Sequence, residues 1–303
     1  MDRPYHVPVM APQVVELLAP VAGGRILDAT FGGGGHSEAI LAAHPTCTIV
    51  AVDRDPDAAA RATAIGVRLV PGDFRDLEHL LEEEGIDDLD GALLDLGVSS
   101  HQLDTPERGF SYHRSGPLDM RMGPGAARDA DEVVNQWPRD RLADAIRRYG
   151  EERHAGRIAD AVVAARPIGD TLHLADVVAG AVPAAARRRG HPARRTFQAV
   201  RIAVNDELAA LTDGLDAALR LLRPGGRIVV ISYHSLEDRI VKRRFAEMAQ
   251  DCVCPPDLPV CGCGRVAGLR VITRRPLRPG ADEVAANPRA RSARLRAAEA
   301  VGP

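Results

Sequence analysis

The first hundred residues alternate between short apolar runs and helix-forming stretches, and that alternation leaves few folds open. Arg25-Ile26-Leu27-Asp28-Ala29-Thr30 reads as a strand that the glycine run Gly32 to Gly35 breaks, and His36 to Ala43 reads as a helix. Thr48 to Val52 is a second strand ending at Asp53. Pro56 to Ala64 is a helix that Asp55 is placed to cap. Val67 to Val70 is a third strand, ending near Asp73-Phe74. Leu77 to Glu84 is helical up to Gly85, and Gly91 to Leu96 is a fourth strand. Apolar strands that alternate with helices pair in parallel and are covered on both faces. Right-handed crossovers then give an α/β fold with an open, doubly wound sheet.

The pattern changes after Gly97. Residues 104–128 are rich in Gly, Pro, Arg and Asp and read as loop. Helical signal follows to about Leu222: Asp140 to Tyr149, Glu152 to Ala165, and a third stretch that Thr171 can cap. Thr196 can cap a long fourth helix, with Phe197, Val200, Val204, Leu208, Leu211 and Leu215 at helical spacing. Strand character returns at Arg227 to Ser232 and at Leu269 to Arg274, while Asn287 to Glu299 reads as a basic tail. The expected organisation is a discontinuous sheet domain, residues 1–103 and 214–303, interrupted by a helical domain over 104–213.

No apolar run has the length needed to cross a bilayer, and no apolar stretch follows a basic start at the N-terminus. The expectation is a cytoplasmic protein without a membrane partner. Net charge is only −3, but it is unevenly spread. Residues 1–186 hold 17 Arg against 30 Asp and Glu; residues 187–303 hold 22 Lys and Arg against 12 Asp and Glu. Such asymmetry suits a polyanionic partner, unless the fold brings the halves together and cancels it. Three basic stretches can track phosphates: Arg187-Arg188-Arg189 with Arg194-Arg195, Arg239 with Lys242-Arg243-Arg244, and Arg289 to Arg296. Cys252, Cys254, Cys261 and Cys263 cluster. They are either unremarkable thiols or four zinc thiolates at a one-residue spacing that departs from the usual knuckle. No metal ligand is assigned.

In an open parallel sheet, ligands bind at the carboxyl ends of strands, near the topological switch point. Four features fall there: the glycine run, Asp53, Asp73-Phe74 and Asp95. Glycines let a ligand approach the backbone. Asp53, about twenty residues beyond them, can accept both hydroxyls of a ribose. Phe74 offers an apolar surface to an adenine. A nicotinamide dinucleotide requires Gly-x-Gly-x-x-Gly, and position 37 is Ser. Acidic residues at three strand ends suit a cationic nucleoside, which favours S-adenosylmethionine.

Longer runs of residues point further. They are His6-Val7-Pro8-Val9-Met10, Asp28 to Ser37, Val52-Asp53-Arg54-Asp55, Leu94 to Ser100 with Gln102-Leu103-Asp104, and Arg108-Gly109-Phe110-Ser111. Pro117 to Met122, Tyr149 to Arg153, Thr196 to Asn205, Ser232 to Arg239 and Asn287 to Ser292 follow. In this order, nearly end to end, the chain resembles the bacterial 16S ribosomal RNA cytosine-N4 methyltransferases. The resemblance implies a class I methyltransferase fold, Rossmann-like, with an inserted all-helical substrate-recognition domain. It implies that Gly34, Gly35, His36, Asp53, Phe74, Asp95 and Gln102 contact S-adenosylmethionine. It further implies transfer of a methyl group to N4 of a cytidine in the decoding region of 16S rRNA, in the RNA or in a small ribosomal subunit.

Cytosine N4 is a poor nucleophile, so an acceptor for its hydrogens would help. Asp95 is the first catalytic candidate, with Ser99 or Ser100 nearby, although the usual acidic-Pro-Pro-aromatic signature is replaced by Asp95-Leu96-Gly97-Val98. His234 is the second, as a base or as a structural histidine. Tyr233 is a candidate to stack on a flipped base or to pack in the core. Asp119 either lines the substrate pocket or pairs with Arg121, and Glu151-Glu152 reads as a solvated helix start. Rival readings are a methyltransferase acting on DNA, protein or a small molecule, a nicotinamide oxidoreductase, which the missing third glycine opposes, and a silent RNA-binding protein on the same fold.

Overall fold

The structure, a computed structural model, describes residues 8–21, 23–184, 190–254 and 262–302. Two compact units divide it: Met1–Gly97 with Ala209–Pro303, and Val98–Leu208. No helix among the described residues is long and apolar enough to cross a membrane.

The first unit is built on seven strands: β1 (Arg25–Asp28), β2 (Thr48–Asp53), β3 (Arg68–Pro71), β4 (Leu89–Asp95), β5 (Leu222–Ser232), β6 (Leu269–Val271) and β7 (Arg294–Ala300). Their order is β3-β2-β1-β4-β5-β7-β6. β1 to β5 run parallel, and β7 is antiparallel to both β5 and β6. This is the class I methyltransferase sheet that the sequence led us to expect. Successive side chains of a strand point to opposite faces, and here they enter two different cores. Ile26, Ile49, Ala51, Leu93, Val229 and Ile231 pack with Val14 and Leu18 of α1 (Ala11–Leu18), Ile40 of α2 (Gly35–Ala43) and Ala58 and Ala62 of α3 (Ala58–Ile65). Leu27, Val50, Val52, Ala92, Leu94, Ile228 and Val230 pack instead with Leu77 and Leu81 of α4 (Leu77–Glu83) and with later helices. Strands covered on both sides need no polar alternation, which is why they read as unbroken apolar runs.

The second unit is helical: α5 (Ser100–Asp104), α6 (Arg139–Gly150), α7 (Ala155–Ala164), α8 (Thr171–Ala181) and α9 (Arg194–Asn205), with a π-helical turn over Glu132–Gln136. Its core joins Leu142, Ile146, Ile158, Val162, Leu174, Val178, Phe197 and Val200 with Phe110, Leu118, Met120 and Trp137 from the long loop. Asp170, not Thr171, caps α8: its side chain accepts from the His173 N–H at 2.7 Å. Thr171 is buried one residue inside and its hydroxyl donates to the Arg114 carbonyl. Thr196 likewise lies inside a helix rather than capping one. The expected long helix is two, α9 and α10 (Glu207–Leu221), broken at Asp206 with φ 50°. Apolar spacing continues across the break, so periodicity alone cannot reveal it. Glu152 is buried, accepts from the His154 N–H and pairs with Arg195, so it is not a solvated helix start.

The basic tail is corrected more sharply. Residues 294–300 are β7, seated between β5 and β6. Leu295, Ala297, Ala298 and Ala300 fill the two cores, while Arg294 and Arg296 pair with Asp238 at 3.2 and 2.6 Å on α11 (Ser235–Met248). Arg296 is only 6% exposed. Arginines inside a run of alanines hid a strand from a charge-based reading.

Candidate functional site

The strand order reverses direction between β1 and β4, so the carboxyl ends of these strands flank the switch point where such sheets bind ligands. Asp28 ends β1 and Asp95 ends β4. The two ends are tied together, since the Asp95 N–H donates to Thr30 Oγ1 at 2.6 Å and the Ala29 N–H donates to the Leu93 carbonyl.

The turn after β1 enters α2 through Gly34 at φ 72°, a left-handed conformation that glycine adopts without penalty. A Cβ there would also lie 2.6 Å from the Phe31 ring. Gly35 opens α2. Asp53, at the end of β2, is anchored to the glycine turn: Oδ2 accepts from the Gly32 N–H at 2.6 Å and Oδ1 from the Asp55 N–H at 2.8 Å. Burial pushes its carboxyl above the ordinary value, while those two backbone bonds pull the other way. An ionised carboxylate accepts about four hydrogen bonds, so Asp53 keeps capacity for two hydroxyls.

His36 is buried in the first turn of α2, with Nε2 3.3 Å from Asp95 Oδ2 and Nδ1 without a hydrogen-bond partner among the described residues. Burial pushes its pKa down, but the Asp95 and Asp28 charges outweigh it and hold the imidazole above its ordinary value. Asp95 Oδ1 accepts from the Tyr233 hydroxyl at 2.8 Å. Burial, then the Asp95 charge, raise the Tyr233 pKa well above 10.0, so it stays a donor.

Several of these contacts escaped the sequence reading. Asp28 is 1% exposed and accepts from the Ser37 hydroxyl at 2.7 Å. Burial, partly offset by that bond, raises its pKa to about 6. Thr30 was read only as the end of a strand, and Tyr233 as a stacking or core aromatic. A carboxylate in a Gly-rich strand-to-helix turn was the only signal for Asp28; for Thr30 and Tyr233 there was none, because their partners lie 65 and 138 residues away.

The remaining candidates are placed differently. Phe74 stands half-buried in a 3₁₀ turn, and a Cβ on Gly214 of α10 would overlap its ring. Asp73 caps that turn and pairs with Arg54 at 2.7 Å. His234 caps α11: Nδ1 accepts from the Glu237 N–H at 3.3 Å, and Nε2 stands 3.1 Å from Glu237 Oε1. Glu237 Oε2 closes the box by accepting from the His234 and Tyr233 N–H groups. Gln102 belongs to the helical unit, where it forms a capping box with Ser99. Asp119 is paired with Arg121, which holds its carboxyl below the ordinary value despite partial burial. Arg187, Arg188, Arg189 and Cys261 lie outside the described residues.

The result is an acidic cluster, Asp28, Asp53 and Asp95, around a glycine turn and the N-terminus of a helix. The carboxylates favour a cation and can hold sugar hydroxyls, while the helix N-terminus beside them favours an anionic group such as a carboxylate.

Ribosomal RNA small subunit methyltransferase H of Geobacter sulfurreducens is 54% identical over 305 residues, covering 97% of this chain and 98% of that protein. The protein of the same name from Thermomicrobium roseum is 52% identical, covering 98% and 94%, and that from Heliobacterium modesticaldum is 51% identical, covering 98% and 99%. The MraW methylase family model matches residues 3–301, and with full-length relatives at this identity the chain belongs to the MraW methylase family.

Proposed function

We propose that this chain transfers a methyl group from S-adenosylmethionine to N4 of a cytidine in small-subunit ribosomal RNA, in the decoding region and within a small-subunit particle. One observation supports the donor above the rest: three neighbouring strands, β2, β1 and β4, each end in a carboxylate, Asp53, Asp28 and Asp95, beside a glycine turn. The relatives' shared name supports the RNA.

The residues fit the donor chemically. S-adenosylmethionine supplies an electrophilic methyl group on a positively charged sulfur. Asp53 accepts the ribose hydroxyls, the turn through Gly34 and Gly35 presents its backbone to the nucleoside, and Phe74 borders its base. The buried His36 Nδ1 has no hydrogen-bond partner among the described residues, and the methionine carboxylate of the donor would supply one. Asp95, steered by Tyr233 and His36, accepts a hydrogen of the cytosine amino group, which sharpens the N4 lone pair and then takes its proton. Most of the rate comes from positioning, because the methyl group is already activated. His234 is the second candidate acceptor; both of its ring nitrogens face Glu237, so taking a proton from the base requires that cap to open. The helical unit, residues 98–208, recognises the RNA.

The test is methyl transfer from labelled donor to 30S subunits, free rRNA and DNA, followed by nuclease digestion and chromatography against N4-methylcytidine. Label in N4-methylcytidine from subunits is the expected result. Label only in DNA or protein, or in another nucleoside, would refute the reading.

A further inference from the structure

Between α11 and β6 the chain leaves the sheet and returns. The neck of this excursion is closed by backbone: the Gly268 N–H donates to the Met248 carbonyl at 2.9 Å, and Arg265 Nη2 donates to the Glu247 carbonyl at 2.6 Å. Beyond the neck the described residues form no core. None of the described residues from Gln250 to Gly268 is buried, and Val253 and Val266 are 54% and 65% exposed. Described residues without regular structure or apolar burial need another source of order.

Three thiols converge there. The Sγ atoms of Cys252, Cys254 and Cys263 all lie within 4.8 Å of one another. Cys252 and Cys263 Sγ are 3.9 Å apart. A disulfide requires about 2.05 Å, so this is not one. Sulfurs about 2.3 Å from a tetrahedral zinc ion stand about 3.8 Å from each other, close to the 3.9 Å between Cys252 and Cys263 and within the 4.8 Å bound on the other pairs. The Cys254 N–H also donates to Cys252 Sγ at 3.4 Å. A bond of that kind favours the thiolate over the thiol, as outer contacts around metal ligands do.

We propose that Cys252, Cys254 and Cys263, between α11 and β6, bind a zinc ion. The inference stands apart from the methyl-transfer reading. Binding expels a proton from each thiol that is not already ionised. Cys261, the fourth cysteine of the cluster in the sequence, lies outside the described residues.

The test uses the full chain purified under reducing conditions without chelator. Elemental analysis is expected to give one zinc per chain. Replacement by cobalt(II) should produce the visible bands of tetrahedral thiolate ligation. Cys252→Ser and Cys263→Ser should each weaken zinc binding by about 100-fold or more, and Cys47→Ser, in the sheet-domain core, should not. Because a serine variant can also fail by misfolding, titration of the unaltered protein with a mercurial gives a second readout, expected to release one equivalent of zinc. Absence of stoichiometric zinc after reconstitution under reduction would overturn the proposal. So would a cobalt spectrum without thiolate charge transfer, or full zinc content in Cys252→Ser/Cys263→Ser.

Discussion

The Tyr233 hydroxyl donates to Asp95 Oδ1 at 2.8 Å, joining the residue after β5 to the last residue of β4. The bond fixes the orientation of the carboxylate proposed to receive the N4 proton. Tyr233→Phe removes one donor to a charged acceptor, worth about 1.5–3 kcal/mol. The rate of single-turnover methyl transfer should fall about 10- to 100-fold, with donor affinity much less affected. An unchanged rate would show that Tyr233 does not position Asp95.

Asp53 is bound by two backbone N–H groups and keeps lone pairs for a ribose. In Asp53→Ala those ligand bonds are lost, and affinity for S-adenosylhomocysteine should drop on the order of 100-fold. Calorimetry decides this, and equal dissociation constants would remove Asp53 from the donor site.

Asp28 makes stability depend on pH in a definite direction. Unfolded, it releases its proton near 3.8; folded, burial delays release to about 6. Between those values the folded state holds more proton, so this group's contribution to stability falls as pH rises from about 4 to 6. At neutral pH the cost is on the order of 3 kcal/mol. Asp28→Asn, which keeps an acceptor for Ser37, should therefore gain on the natural protein as pH rises. Urea unfolding at pH 4.5 and 7 measures it; a constant difference would contradict the coupling.

Asp238 holds both Arg294 and Arg296 of β7. Asp238→Ala leaves the buried Arg296 guanidinium unpaired and should cost about 3 kcal/mol. Replacing both partners, Asp238→Ala with Arg296→Met, should recover part of the loss. Denaturant midpoints of the single and double variants test this, and a single variant as stable as the parent would show the pair is idle.

Gly150 ends α6 where a Cβ would lie 2.6 Å from the Arg195 carbonyl oxygen of α9. Gly150→Ala must push those helices apart, at about 2 kcal/mol. A thermal midpoint equal to the parent's would mean the contact yields freely.

Local pattern determined much of this protein. Strands β1 to β4 and the helices between them were legible because a strand buried on both faces is apolar throughout and a helix repeats every 3.6 residues. The end of each strand follows from the same pattern, and with it Asp53, Asp95 and the glycine turn beside them. Long motifs added the family and the activity. What local pattern does not contain is the partner of a charge. Arg294 and Arg296 read as tail until Asp238, 56 and 58 residues away, turned their segment into a strand. Glu152 read as solvated until Arg195 approached it, and the α9–α10 break at Asp206 lies inside an uninterrupted apolar repeat. Thr30 and Tyr233 meet Asp95 only because the sheet places β4 between β1 and β5. Hydrophobic periodicity is written along the chain, whereas hydrogen bonds and ion pairs act over a few ångströms of space, and only the folded sheet decides which residues share those ångströms.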